Sequence, residues 1–179
     1  MNNAKPRVYL DAGPIIDLIK VKVGVVVDKQ READAWYLQQ LIRAAQAEQV
    51  DLYTSTLSIA ECTHVADQKK SEEAKPFFMG LLTSGKSGIT LIQPTLNIVE
   101  RARDLRWIHG VNLQGADAIH VSSANYFKCD ELITHDGKIR NNENVSILMK
   151  LGIRVCSGSE TECLPTDFRQ GQLFGKSSG

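Results

Sequence analysis

The chain has 179 residues, 42% of them hydrophobic, with 21 Lys+Arg balanced by 21 Asp+Glu and a formal net charge of zero. That length fits one domain able to bury its own core without disulfides or a structural metal, and the apolar share excludes disorder over most of it. The even charge excludes histone-like coating of nucleic acid and polybasic adhesion to membranes, so a nucleic-acid substrate has to be held by a local patch and bound metal.

Arg7–Asp11 reads as a short strand ending on a carboxylate, followed by a turn at Ala12-Gly13-Pro14 and a helical turn over Ile15–Ile19. Val21–Val27 is ambiguous between a strand and an irregular apolar loop. Arg31–Glu48 is rich in helix formers, with Ala35, Leu38, Ile42 and Ala45 at helical spacing. Asp51–Thr54 is a second strand. Thr56–Val65 reads as a helix in which Ser58-Ile59-Ala60-Glu61 has the form of a capping box. Glu72–Leu82 is a further helix, with Pro76 placed in its first turn or at a kink. Ile89–Ile92 is a third strand, Thr95–His109 a helix, and Gly115 opens another helix through Phe127. Glu131–Thr134 is a fourth strand, Val145–Lys150 a short helix and Ile153–Cys156 a fifth strand. Strands alternating with helices predict an α/β layered domain with a mainly parallel sheet of about five strands. Residues 1–156 make the domain, and residues 157–179, rich in Ser, Gly, Thr and Gln, read as a partly disordered tail.

No stretch reaches the ~20 apolar residues of a membrane span, and Val8-Tyr9-Leu10 is too short for a signal sequence. Cys62, Cys129, Cys156 and Cys163 have no zinc spacing. Buried free thiols and a cytoplasmic, membrane-free protein are expected.

The dinucleotide fingerprint, the P-loop, the serine elbow and the HExxH helix are all missing from the sequence. Acids at strand ends remain. Asp11 ends the first strand, Asp136 follows the fourth, Glu61 lies in the helix after the second, and Asp117 lies in the first turn of the helix before the fourth. In an open parallel sheet these places border the crevice at the topological switch point. Each acid has a plain structural role open to it: an Asx-turn at Asp11, the capping box at Glu61, a first-turn acid at Asp117, a turn at Asp136-Gly137. All four, however, punctuate apolar segments, where an unpaired acid is costly. A shared divalent cation answers that cost, and clustered carboxylates suit Mg²⁺ or Mn²⁺ better than Zn²⁺. His64 and His120, each three residues after an acid, are read as packing or supporting groups; His109 and His135 stay unassigned.

Four blocks together resemble a PIN domain: Val8-Tyr9-Leu10-Asp11-Ala12-Gly13-Pro14-Ile15-Ile16, Ser55-Thr56-Leu57-Ser58-Ile59-Ala60-Glu61, Asp117-Ala118-Ile119-His120-Val121-Ser122-Ser123-Ala124 and Leu132-Ile133-Thr134-His135-Asp136. They stand in that family's order from about Arg7 to Cys156. The resemblance implies a three-layer α/β/α domain and a metal-dependent endoribonuclease. Its nearest style is the VapC-type toxin, a homodimer paired with a VapB-type antitoxin. Carried over by position, Asp11, Glu61, Asp117 and Asp136 hold Mg²⁺ or Mn²⁺, and Thr134 stands beside them as a hydroxyl. Lys138 and Arg140, close after the last acid, are expected to hold RNA, and Arg31–Glu48 is expected to meet the second copy. Gly13 departs from the pattern, which often has Ser, Thr or Asn there. The alternative is therefore a PIN-like RNA- or protein-binding module whose nuclease activity is weak or lost.

Overall fold

The computed structural model describes residues 4–170. Five strands form one all-parallel sheet in the order β3-β2-β1-β4-β5. They are β1 (Arg7–Leu10), β2 (Asp51–Ser55), β3 (Ile89–Ile92), β4 (Glu131–Ile133) and β5 (Arg154–Cys156). Side chains alternate across the sheet, as strand geometry requires. Val8, Leu10, Leu52 and Ile133 join one apolar core with α1 (Ala12–Lys22), α2 (Lys29–Gln46) and α4 (Gln68–Leu82). Tyr9, Ile92 and Leu132 join a second core with α5 (Leu96–Trp107), α6 (Gly115–Tyr126) and α7 (Asn142–Lys150). The result is the expected three-layer α/β/α sandwich. Chain order reverses between β1 and β4, so the crevice at the carboxyl ends opens there.

Local departures have local causes. Ala12-Gly13-Pro14 is the first turn of α1 rather than a separate turn. Pro14 is tolerated because the first helical N–H groups have no partner inside the helix. The segment Val21–Val27 ends α1 and then runs irregularly. The helix expected over Thr56–Val65 shortens to α3 (Leu57–Glu61). Asp67 restarts the chain as the N-cap of α4, accepting from the Lys70 N–H at 2.8 Å. Pro76 lies in the interior of α4. None of the helices among the described residues is long and apolar enough to cross a membrane.

Beyond β5 the described chain is structured. A 3-10 turn (Gly158–Glu160) and α8 (Thr166–Arg169) both pack on α2. A Cβ at Gly158 would stand 2.5 Å from the Asp34 carbonyl oxygen, so only glycine permits this approach. Buried Glu131 anchors the same stretch, accepting from the Thr161 hydroxyl at 2.5 Å and the Glu162 N–H at 2.8 Å while Arg154 lies 2.6 Å away. The remainder of the tail, from residue 171, lies outside the described residues. Helix α2, expected to meet a second copy, turns Ala35, Leu38, Leu41, Ile42, Ala44 and Ala45 into its own core.

Candidate active site

The strand β1 delivers Asp11 to the mouth of the crevice, half-buried, as the N-cap of α1. Its Oδ1 accepts from the Ala12 N–H at 2.8 Å, and its Oδ2 accepts from the Thr134 hydroxyl at 2.6 Å. Thr134, fully buried just past β4, in turn accepts from the Asp136 N–H at 3.0 Å. One hydroxyl thus ties the ends of two neighbouring strands. Asp136 closes an Asx-turn through Oδ1, accepting from the Lys138 N–H at 2.6 Å and the Ile139 N–H at 3.3 Å. Its Oδ2 has no hydrogen bond among the described residues.

Asp117, in the first turn of α6, has no hydrogen-bond or ion-pair partner among the described residues. Partial burial, followed by the negative charges of Asp136 and Asp11, holds its carboxyl above the usual carboxylate range, while Lys138 and His120 offset part of this. The helix dipole favours a first-turn acid, so the upward direction means that repulsion and burial outweigh it. Asp11, Asp117 and Asp136 therefore share one electrostatic environment.

Glu61 reaches this group through a histidine. The capping box expected at Ser58–Glu61 does not form: Thr56 is the cap position, and Ser58 lies buried inside α3 with its hydroxyl 2.8 Å from that of Thr54. The Glu61 carboxylate instead meets His120 Nε2 at 2.9 Å, and that nitrogen is 3.8 Å from Asp11 Oδ1. His120 is buried and its Nδ1 lies 2.9 Å from the Tyr9 hydroxyl. Burial opposes its charge, but the hydrogen bond to Glu61 and the charges of Asp11, Glu61 and Asp117 raise its pKa overall. The same bond holds Glu61 below its usual range. His120 is thus the supporting group anticipated, with a specific task of orienting Glu61. His64, exposed, bonds the Ser71 hydroxyl at 2.9 Å away from these acids.

The two basic residues expected near the last acid differ. Lys138 is exposed, forms no side-chain ion pair among the described residues, and acts on Asp117. Arg140 is taken up within the chain by Glu160 at 3.0 Å and by the Thr134 carbonyl at 3.4 Å.

Sequence reasoning missed a second acid cluster directly behind the first. His135 turns away from the cleft and donates Nδ1–H to Asp17 at 2.9 Å and Nε2–H to Asp34 at 3.1 Å. Asp17 of α1 and Asp34 of α2 are both buried, and Arg31 pairs with Asp17 at 2.8 Å. Asp34 also accepts from the Ser159 N–H at 2.7 Å. Burial works against the imidazolium, yet the two aspartates raise its pKa to about 9. Burial pushes both aspartates up, but they are held below the usual range by the sum of the bonds and charge of His135, joined by the charges of Arg31 and Lys20 at Asp17 and by the bonds from Ser159 at Asp34. A polar Asp inside the apolar stripe of α1 was the available signal; its partner is 118 residues away in sequence.

These acids divide by what neutralises them. Asp17 and Asp34 are matched by His135 and Arg31 inside the chain. Asp11 and Asp136 act on Asp117 through their charges, which Lys138 and His120 offset in part, and hard carboxylate oxygens of this kind suit a divalent ion. Among the described residues no group of three or more His, Cys, Asp or Glu side chains is placed to hold a metal ion. The family model described as PIN domain matches residues 8–144. No curated protein and no solved structure matches the chain.

Proposed function

The chain belongs to the PIN-domain family, whose members are typically nucleases, and from that premise we propose that it is a divalent-metal-dependent endoribonuclease. The observation that carries this reading is Asp117: a half-buried carboxylate without a partner among the described residues, pushed up by burial and then by the charges of Asp136 and Asp11. Mg²⁺ or Mn²⁺ bound by Asp11, Asp117 and Asp136, with Glu61 at the edge, supplies Lewis acidity toward the phosphodiester and acidifies water. The chain does the rest. Thr134 fixes Asp11 and the Asp136 backbone in one frame. The Tyr9–His120 pair aims Glu61. Lys138 offers an unpaired ammonium to a phosphate beside the acids. Hydrolysis leaves 3′-hydroxyl and 5′-phosphate ends. Extended by the family resemblance, the proposal includes a VapC-type toxin role, a VapB-type antitoxin and a homodimer. Arg140 is a weaker phosphate ligand than its position promised, since Glu160 already neutralises it.

The test is cleavage of cellular RNA by the purified protein in Mn²⁺, in Mg²⁺ and in EDTA, with the new ends sequenced. Cleavage lost in EDTA and in Asp117→Asn supports the reading. Cleavage indifferent to both overturns it, and RNA binding without cleavage in any metal replaces it with the binding-module alternative. Sedimentation at high micromolar concentration tests the homodimer, which a monomer there removes.

A further inference from the structure

The solvent-facing stripe of α5 combines large exposed apolar side chains with arginines close among them. Leu96, Val99 and Trp107 follow one another at helical spacing, and Trp107 is 74% exposed. The Arg103 guanidinium lies 5.0 Å from the Trp107 ring centroid, covering one face of the indole. With so much of the residue exposed, the other face is open. Arg106 is exposed and has no hydrogen-bond or ion-pair partner among the described residues. Asp104 is the acid nearest them in sequence, and Arg103 pairs with it at 3.1 Å.

Between this stripe and the first turn of α6 runs a groove of about 310 Å³, lined by Val99, Arg103, Arg106, Trp107, Gly115 and Ala118 among others. Asp117 belongs to that same turn, between two of the lining residues. A helix with its side chains is only about 10–12 Å across, so the groove opens within that distance of the acid cleft. Gly115, at φ 60°, has nothing within 4 Å of where a Cβ would stand, which leaves the α6 side of the groove as open backbone.

We propose that this groove is a subsite for a nucleotide of single-stranded RNA flanking the cut, its base stacked on the Trp107 indole and its phosphate met by Arg106. The inference rests on the nuclease reading above and names where its substrate continues. An indole held in water has apolar area to lose, and base–aromatic stacking contributes about 1–3 kcal/mol per base. Arg103, held by Asp104, backs one face of the ring and keeps the indole in place for stacking. A paired duplex is a poor occupant, because its base faces are already stacked on one another. The charge is complementary locally, in a chain whose net charge is zero.

The experiment uses Trp36→Phe, which leaves Trp107 as the single tryptophan of the two in the chain. In EDTA, a short single-stranded oligoadenylate should quench its fluorescence saturably, and an abasic ribose-phosphate chain of equal length should bind about tenfold or more weakly. By anisotropy of the labelled oligoadenylate, Trp107→Leu in the otherwise unaltered chain should lose a similar factor while Trp107→Phe keeps most of the affinity. Arg106→Gln should lower the slope of log K against log salt by about 1. Unchanged oligoadenylate affinity in Trp107→Leu overturns the proposal. So does a Trp107→Leu protein that changes from dimer to monomer at full RNA affinity, which makes the stripe a contact between copies. If the parent cuts no RNA in either metal but the quench persists, the nuclease reading fails alone; if it cuts without a quench, the subsite fails alone.

Discussion

The segment Thr134-His135-Asp136 separates two clusters of acids that share residue type and differ in every physical respect. Asp136 faces the cleft with Asp11 and Asp117, and the carboxyl of Asp117 is pushed up. His135, one residue earlier, points into the protein between Asp17 and Asp34, and both of those carboxyls are pulled down. The difference is the location of the balancing cation. Behind the cleft it is built into the chain as an imidazolium with Arg31 beside it. At Asp117 the charges of Lys138 and His120 offset only part of the rise, and the proposed divalent ion is what would complete the balance. A carboxylate's surroundings, more than its presence, separate support from chemistry.

The interior cluster should break first and hardest. Asp34→Ala removes one partner of a buried ion pair and leaves His135 charged, a loss of about 3–5 kcal/mol, read as a fall in the urea midpoint at unchanged slope. Its pH dependence has a defined sign. His135 is raised to about 9, so its contribution is full below its ordinary pKa of about 6.5 and disappears as pH rises through about 9. Asp17 and Asp34 are depressed, so theirs is present above about pH 4 and is lost on further acidification. Stability from this cluster is therefore greatest between about pH 4 and 6.5. A flat profile from pH 6 to 9 in the parent, or one equally steep in His135→Gln, removes the cluster from its supporting role.

In the cleft the same kind of change should do the reverse. Asp11→Asn and Asp136→Asn keep size and remove charge, and each should cost a factor of about a hundred or more in RNA cleavage while the protein still folds. Asp117→Asn should cut activity likewise and slightly raise thermal stability, because its folded pKa is raised and its charge opposes folding. Asp167→Asn, on exposed α8, is the control and should change neither. Parent rates in the Asn variants would end the comparison by placing both clusters in the same category.

Metal itself is the next, smaller lever. A ligand that binds only the folded form at ten times its Kd adds about 1.4 kcal/mol, or roughly 3–6 °C in a chain of this size. Mn²⁺ should give that shift in the parent and none in Asp117→Asn; equal melting curves in Mn²⁺ and EDTA count against the site. Smallest of all is Gly13→Ser. Nothing lies within 4 Å of a Cβ there and the backbone is helical, so the serine should fold with a change within about 0.5 kcal/mol. Its hydroxyl near Asp11 should leave cleavage equal or higher.

Much of this arrangement was legible in the residues. The short apolar runs Val8-Tyr9-Leu10 and Leu132-Ile133 announced strands. The acids at their ends followed from where such sheets open. At Glu61 the capping box with Ser58 was the nearest partner in sequence, whereas the hydrogen-bond partner, His120, is 59 residues away. For Arg140 the ion-pair partner, Glu160, was likewise invisible from its neighbourhood. Val21–Val27 stayed unresolved because a short β-branched run satisfies helix, strand and loop alike.

The layered α/β class and the order of strands and helices along the chain were readable from the residues alone. These depend on periodicity and on residues a few positions apart. Tertiary structure alone decided which carboxylates are neutralised from within. Asp17 and Asp34 look in sequence like ordinary helical aspartates, and they become buried ion-pair partners only because α1 and α2 pack on the sheet face toward which His135 turns. Asp117 owes its raised pKa first to partial burial and then to the charges of Asp136 and Asp11, which β1 and β4 bring toward it by lying side by side. Charge–charge energies fall with distance through space and take no account of separation along the chain, so their sign at each acid was settled when the sheet closed its order.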